Sequence, residues 1–265
     1  MIDLSIIIVN YNSVALAKDA ILSIKKHLKI SYEIIVIDNS ENEEEIESAA
    51  SAFADDTNLR FKHVPNHGYG AANNEGAKMA RGKYLLLLNP DTLLTDESLV
   101  KMLNFLSAHD EVGAISPLIY QEDGKTLQHH FYGHFLSLGG ITLKKWQGEG
   151  TNLNKEINNV DMVTGASLMI KKELFDRVGG FDENFFMYVE DDDLCRRLQE
   201  LGYKNAVYTK AKIIHLEGKS STSRNKKLMY YKSQDYYWRK HYGAAQTVLM
   251  RIIRWPYKTI RLLAS

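Results

Sequence analysis

One cysteine, Cys195, stands in a chain of 265 residues. A disulfide framework is therefore excluded, and the composition fits a reducing compartment. Long apolar runs are absent too. The first stretch ends at Val9, and no later one reaches the ~20 residues needed to cross a bilayer. The start, Met1 to Ser5, lacks the basic segment and cleavage site of a secretory signal. These absences lead us to expect a soluble or peripheral protein. No internal repeat or low-complexity linker interrupts the chain. No Walker loop occurs, and the dinucleotide fingerprint fails because Asn73 stands where the third glycine after Gly68 and Gly70 belongs. A classical NAD site is thereby disfavoured.

Net charge is also missing, with 33 basic and 33 acidic residues, but the two signs are segregated. From Lys212 onward there are 12 Lys/Arg and 2 Asp/Glu, so a +10 tail follows a −10 body. A basic tail seeks an anionic surface or partner. It carries no nucleic-acid motif, so no nucleic-acid partner is expected.

What is present reads as one α/β domain with a helical tail. Leu4–Val9, Glu33–Ile37, Arg60–Val64 and Tyr84–Leu88 are short apolar runs, as expected of parallel strands buried on both faces. Between them lie helical patterns over Val14–His27, Glu41–Ala54 and Ala71–Ala80. Further on come a helix capped by Thr95 to Ser98, a strand over Val112–Ile115, and regular structure over Met162–Ile170. Helices at Lys172–Val178 and Asp191–Leu201 and a strand at Ala206–His215 follow. Residues 121–159 read as a long mobile loop or an acceptor-facing insertion. The boundaries drawn are 1–220 for the domain, with nucleotide binding in about 1–115 and acceptor binding in about 116–220, and 221–265 for the tail.

In open α/β sheets, ligands gather at the carboxyl ends of the strands. Three strand ends are polar: Asn10-Tyr11, Asp38-Asn39 and Asn89-Pro90-Asp91. One such end is ordinary turn chemistry, but three on neighbouring strands make a binding rim. Asp38 could accept from a base imide and Tyr11 could stack on the ring. Without a glycine cradle, a diphosphate needs a cation, and Asp91 is the candidate ligand for a divalent ion. His215, which closes the last strand, is a candidate second ligand, as manganese accepts imidazole more readily than magnesium does. Glu190-Asp191-Asp192-Asp193 opens a helix. Ion pairs to Arg196 and Arg197 account for Asp192 and Asp193, leaving Glu190 and Asp191 for general-base work. In the tail, Arg251, Arg254, Lys258 and Arg261 recur every three or four residues beside Leu249, Ile252, Trp255 and Ile260, with a kink expected at Pro256. That is the pattern of a helix lying on an anionic membrane surface. Docking on its own domain, or on a second subunit in a homodimer, is the alternative.

Ser5 to Asn12, Val36 to Asn39, Asn66 to Asn74, Leu88 to Thr92 and Glu190 to Cys195 together resemble glycosyltransferase family 2, with its GT-A fold. The bacterial rhamnosyltransferase-like branch is the nearest in form. The resemblance covers about residues 1–220. It implies a Rossmann-like, mostly parallel sheet flanked by helices, and an inverting, metal-dependent enzyme using Mn2+ or Mg2+ and a nucleotide-sugar donor. By resemblance, Asp191 is the catalytic base with Glu190 beside it. Asn10, Tyr11, Asp38, Asn39, Gly68, Asn74 and Asn89 belong to the nucleotide site, and Asp91 and His215 to the metal site. Asn89 replaces the first acid of the family's metal motif, which removes a charge there.

The implied reaction is transfer of a sugar to a hydroxyl of a saccharide or a polyprenyl-diphosphate-linked acceptor. L-rhamnose from dTDP-rhamnose is the preferred donor and a UDP-sugar the alternative. The expected place is the cytoplasmic face of the cell membrane. A nucleotidyltransferase would want a Gly-rich basic loop after the first strand, which Asn10 to Ser13 does not supply. A non-catalytic saccharide- or nucleotide-binding module would have no need of Glu190 and Asp191.

Overall fold

Leu4–Asn10 (β1), Tyr32–Asp38 (β2) and Tyr84–Leu88 (β4) are buried along almost their whole length. A strand covered on both faces must be apolar on both, so these runs do not alternate. In the computed structural model, which describes residues 2–54, 56–128, 132–138, 152–216 and 224–263, β1 pairs in parallel with both β2 and β4. Leu59–His63 (β3) extends the parallel sheet beyond β2. The side chains of each strand divide between two cores. Ile6, Ile8, Val36 and Leu86 face the helices Val14–His27 (α1), Glu43–Phe53 (α2) and Ser98–Ala108 (α4). Ile7, Ile35, Leu85 and Leu87 face Tyr69–Met79 (α3) and the helices Lys172–Arg177 (α5) and Glu190–Glu200 (α6). Truncating one of these leucines to alanine is expected to cost about 2–5 kcal/mol.

The sheet then departs from a simple parallel order. Thr92–Leu93 (β5), Val112–Tyr120 (β6), Ile157–Val160 (β8), Ser167–Lys171 (β10) and Lys204–His215 (β11) complete the order β3-β2-β1-β4-β10-β6-β11-β5, with β8 on β11. β10 is antiparallel to both β4 and β6. Its amino end therefore lies beside the carboxyl end of β4, with Ser167 opposite Leu88. Tyr132–Gly133 (β7) and Met162–Val163 (β9) form a separate two-stranded ribbon. The expected Met162–Ile170 unit is thus two strands, β9 and β10, split at Thr164-Gly165-Ala166. Of the expected loop 121–159, residues 129–131 and 139–151 lie outside the described residues.

Cys195 is a free, buried cysteine in α6, packed in the same core cluster as Leu194 and Leu198. The tail is a helical hairpin. Arg224–Leu263 (α7) is broken at Gly243, whose φ of 81° suits a residue without a side chain, and Pro256 lies inside helix. The break thus falls at Gly243 and not at the expected kink site, Pro256. The halves 224–242 and 244–263 run antiparallel: Lys227 Nζ donates to the Arg261 carbonyl at 3.0 Å, and Arg254 donates to Gln234 at 2.8 Å and to Asp235 at 2.5 Å. The first half is latched to the domain. Lys240 and His241 both reach the fully buried Asp193 of α6 at 2.7 Å. No helix among the described residues is long and apolar enough to cross a membrane.

Candidate active site

The carboxyl ends of β1, β2 and β3 place Asn10, Asp38 and His63 in one row across three strands. Asn10 Nδ2 donates to Asp38 Oδ1 at 2.7 Å, Ser40 Oγ donates to the same oxygen at 2.8 Å, and His63 Nδ1 meets Asp38 Oδ2 at 2.8 Å. The Asp38 side chain is fully buried. Both of its oxygens are engaged by neighbouring protein groups, Asn10 and Ser40 on one and His63 on the other. Tyr11 is half exposed at the rim, and its hydroxyl donates to Glu41 at 3.1 Å. The bond to Glu41 and partial burial raise its pKa. Asn39 is buried and donates to Asn66 Oδ1 at 3.3 Å.

At the tip of β4 the chain turns through Asn89, Pro90 and Asp91 into β5, which pairs with the end of β11. That pairing carries His215 to Asp91: Nε2 lies 3.1 Å from Asp91 Oδ1 and 3.5 Å from Asn89 Nδ2. Gln128 fixes the tautomer. Its Nε2 donates to the His215 carbonyl at 2.9 Å, so its other end is an oxygen, and that oxygen sits 3.2 Å from His215 Nδ1. Nδ1 therefore donates to Gln128, and Nε2 is the nitrogen that faces Asp91. An imidazole tied back through its far nitrogen is how metal-ligating histidines are held. The donor set fits a divalent cation with oxygen and imidazole ligands. Among the described residues no group of three or more His, Cys, Asp or Glu gathers as a cation site. Two protein ligands suit an ion that takes its remaining positions from phosphate and water.

The acidic cluster opens α6 opposite this tip. Asp191 Oδ2 accepts from Gly165 N at 3.1 Å and Oδ1 from Asp192 N at 3.0 Å. The next residue, Ala166, accepts from Asn89 N at 3.0 Å. The β4 tip and the start of α6 are therefore joined through two consecutive residues, whose Cα atoms are about 3.8 Å apart. Tyr69 closes the group by donating to the Gly165 carbonyl at 2.7 Å. Its phenol is pushed up by burial and then by Glu190, Asp191 and Asp91, which all lie near it.

Burial raises Asp191, against the opposing hydrogen bond from Gly165. Burial first, and the neighbouring Asp191 second, lift Glu190 well above the usual carboxylate range, and Glu190 Oε2 has no hydrogen-bond partner. Asp192 rises for the same reasons. Repulsion within the acidic run is thus secondary to desolvation. Asp193 goes the other way: burial opposes ionisation, but the bond from His241 and the charges of Arg197 and Lys240 outweigh it. The expected Asp193–Arg197 pair forms at 2.8 Å. Arg196 does not pair with Asp192; it turns to Glu200 at 3.4 Å and stacks over Tyr242.

Two nucleotide-site candidates serve the loop that leads into α6. Gly68 has a φ of 101°, and a Cβ there would stand 2.0 Å from the Phe186 carbonyl oxygen. Asn74 accepts from Phe181 N at 2.9 Å and donates to the Phe181 carbonyl and to Glu183 at 2.9 Å each. Both hold residues 181–190, where Tyr188 and Val189 take positive φ of 70° and 69° just before Glu190. Strain of that kind persists only where surrounding contacts enforce it. The sequence reading missed Gly165, Tyr69, Gln128 and His63. For His63 a signal existed, since it ends its strand as Asp38 does. The others are placed by contacts remote in sequence.

Comparison with known proteins bears on what this arrangement does. Residues 5–179 match the model of glycosyl transferase family 2, and residues 151–219 match one described as the N-terminal domain of galactosyltransferase. A low-salt glycan biosynthesis hexosyltransferase of Haloferax volcanii is 30% identical over 74% of this chain and 61% of its own length. An N-acetylglucosaminyl-diphospho-decaprenol L-rhamnosyltransferase of Mycobacterium tuberculosis is 28% identical, over 52% of this chain and 48% of its own length. A rhamnosyltransferase of Escherichia coli is 29% identical, over 52% and 56%. The chain spans less than two thirds of the length of each of these relatives. Two solved structures share the fold: GalNAc-T7 with UDP, GalNAc and Mn2+ (TM-score 0.65, 18% identity, 90% of this chain and 50% of that one), and a Pyrobaculum calidifontis mannosyltransferase with GDP-Man and Mn2+ (0.63, 16%, 89% and 63%).

Proposed function

This chain belongs to glycosyl transferase family 2, and we propose that it moves L-rhamnose from dTDP-rhamnose to a hydroxyl of a bacterial cell-surface glycan or its lipid-linked precursor. That it is a glycosyltransferase follows from the family. The choice of rhamnose and of a lipid-linked acceptor is supported by what the relatives are named for. A UDP-sugar donor is the alternative.

The observation that carries the reading is the placement of Asp191. Its carboxylate is held by Gly165 and Asp192, and the residue after Gly165 accepts from Asn89 N at the tip where Asp91 meets His215. In the proposed step the acceptor oxygen attacks the anomeric carbon, its proton passes to Asp191, and the bond from that carbon to the diphosphate oxygen breaks. The electron pair leaves with the nucleoside diphosphate. A single in-line displacement inverts the anomeric configuration. The raised pKa of Asp191 makes it a stronger base than a solvated carboxylate. Asp91 and His215 would hold Mn2+ or Mg2+, which when bound neutralises charge developing on the diphosphate. Gln128 fixes the His215 ring, and Gly68 and Asn74 hold the loop before α6. Incubation with dTDP-rhamnose and UDP-sugars, each with and without Mn2+, is expected to give metal-dependent donor turnover. Absence of turnover with every donor and acceptor, beside intact nucleotide binding, would leave a binding module instead.

For the tail we propose an anionic membrane surface, revised in its geometry. The cationic stripe largely faces the first half of the hairpin, where Arg254 is buried against Gln234 and Asp235. The outer face of residues 244–263 is apolar, with Leu249 (46% exposed), Ile252 (66%), Trp255 (67%) and Ile260 (66%) among its residues. No acid lies in that half, and Arg251 and Arg261 stay exposed beside the apolar face. Apolar, aromatic and basic groups together suit a lipid headgroup boundary. Such docking would hold the enzyme peripherally at the cytoplasmic face of the membrane, beside a lipid-linked acceptor.

A further inference from the structure

We propose that Lys240, on the tail hairpin, is a positioning residue for Asp191, stapling together the two ends of the turn that delivers this base. The inference rests on the transferase reading above and adds the tail to the machinery of that site. Lys240 Nζ lies 2.7 Å from Asp182 Oδ2 and 2.7 Å from Asp193 Oδ1. Asp182 stands near the start of the loop that leads into α6, and Asp193 lies in the first turn of that helix. Between them come Tyr188 and Val189, with positive φ of 70° and 69°, and then Glu190 and Asp191. A bulky or β-branched residue rarely adopts that conformation. The turn therefore depends on what surrounds it.

The grip on this turn comes from two sides. On the domain side, Asn74 holds Phe181 and Glu183, and Tyr69 N donates to the Phe186 carbonyl at 3.0 Å. On the tail side, Tyr236 donates to Asp182 at 3.0 Å, and Ser233 Oγ donates at 2.7 Å to the carbonyl of Met187, the residue before Tyr188. His241 Nε2 joins Lys240 on Asp193 Oδ1 at 2.7 Å. Ser233, Tyr236, Tyr237, Lys240 and His241 recur at spacings of three and four, so a single face of helix 224–242 lies along the turn. Tyr237 and Trp238 also share a buried cluster with Phe185 and Val189. Burial opposes ionisation of Asp182, but the bonds from Lys240, Asn184 and Tyr236 bring its carboxyl down to about 2. Asp193 is likewise held low, so the ammonium sits between two carboxylates that are both ionised at neutral pH. A latch that merely fastened the tail would need one anchor. Two anchors, one on each side of the turn, fix the separation of its ends and with it the direction in which α6 presents Asp191.

The test uses the full chain in Mn2+, with dTDP-rhamnose or whichever UDP-sugar the wild type turns over. Lys240→Met keeps the stem and removes the charge, while Arg197 and His241 stay on Asp193 and Tyr236 stays on Asp182. Its kcat should fall about 10–100-fold, with calorimetric donor affinity within about 2-fold of wild type. Lys240→Arg, which can donate to both carboxylates, should recover kcat to within about 3-fold. In an Asp191→Asn background, Lys240→Met should cost less than about 2-fold more, because its effect passes through that carboxylate. A purely structural defect would lower activity equally in both backgrounds. Wild-type kcat in Lys240→Met, or equal losses in the two backgrounds, overturns the proposal and leaves the transferase reading standing. Undiminished turnover in Asp191→Asn alone also overturns it. If Lys240→Met does not fold, Tyr236→Phe carries the test by deleting only the hydroxyl on Asp182. It should lower kcat about 2–5-fold, one lost hydrogen bond, and only while Asp191 is present; an unchanged kcat there overturns the proposal. A wild type that turns over no donor overturns both this proposal and the function it rests on.

Discussion

Gly165 donates its backbone N–H to Asp191 Oδ2 at 3.1 Å, while the residue after it receives the N–H of Asn89. This short connection sets the reach between the proposed base and the β4 tip, and it depends on β10 running antiparallel beside β4. Were β10 parallel, its preceding turn would lie at the other end of the sheet and Asp191 would lose its anchor.

Asp191→Asn preserves the contact with Gly165 but cannot take a proton. Transfer should fall by roughly 10²–10⁴-fold, with donor affinity unchanged. In the wild type, because the pKa of Asp191 lies above the usual aspartate value, kcat/KM should rise with pH through that displaced pKa. The variant should lose this limb. Steady-state kinetics across pH, with calorimetric donor binding, check both points, and undiminished turnover in Asp191→Asn would remove it as base.

Glu190 and Asp192 are held above their ordinary pKa values, chiefly by burial. A carboxyl raised in the folded state binds its proton more tightly there than in the unfolded chain. Stability therefore declines as pH rises from the unfolded pKa through the folded one, and stays lowered above it. Asp192→Asn should then be more stable than wild type at neutral pH by roughly 1–2 kcal/mol, and the gain should vanish in acid. Thermal unfolding at several pH values reads this directly. A destabilised Asp192→Asn at neutral pH would show that the charged form is the favoured one.

Gly68→Ala combines a positive φ with a Cβ driven into the Phe186 carbonyl. The expected cost is roughly 1–3 kcal/mol from backbone strain alone, together with loss of transfer, because the displaced segment leads straight into Glu190. Denaturant unfolding and activity should fall together. Full activity in a stable variant would show that the 181–190 segment is not positioned by this contact.

Gln128→Leu removes the acceptor that orients His215. Affinity for Mn2+ should weaken about 10–100-fold, as happens when a ligating histidine loses its supporting partner. Titration of Mn2+ against activity and against bound-metal signal measures it. An unchanged metal affinity would exclude His215 from the site.

For the hairpin, paired Ile252→Glu and Trp255→Glu changes put charge on a face that is already solvent-exposed. Folding should be little affected, whereas flotation with phosphatidylglycerol vesicles should be lost. Wild-type flotation should weaken with added salt. Concentration-dependent dimerisation abolished by the same changes, with no vesicle binding, would assign the face to a second copy.

The longer elements were legible in the chain, whereas β5, β7 and β8 were not, the last two falling within residues 121–159 that read as a loop. The apolar runs of β1, β2 and β4, the helical spacing of α1, and the acidic opening of α6 are local patterns, set by burial on one or both faces and by the helix dipole. The row of polar strand ends was legible for the same reason, since a parallel sheet puts them on one edge. What the chain could not reveal by itself was direction and partnership. Thr164-Gly165-Ala166 lies inside an apolar stretch that looks like one strand, and only packing between β4 and β6 decides that it splits and that β10 runs antiparallel. The basic stripe of the tail looked outward-facing until Gly243 folded the helix back, so that Arg254 met Asp235. Periodicity identifies one face of a helix but not what covers it. Asp38 and His63 are 25 residues apart, and Asn89 and His215 are 126 apart. Contacts across such separations are fixed by how the layers close over the core, and with them go the protonation and accessibility on which the chemistry depends.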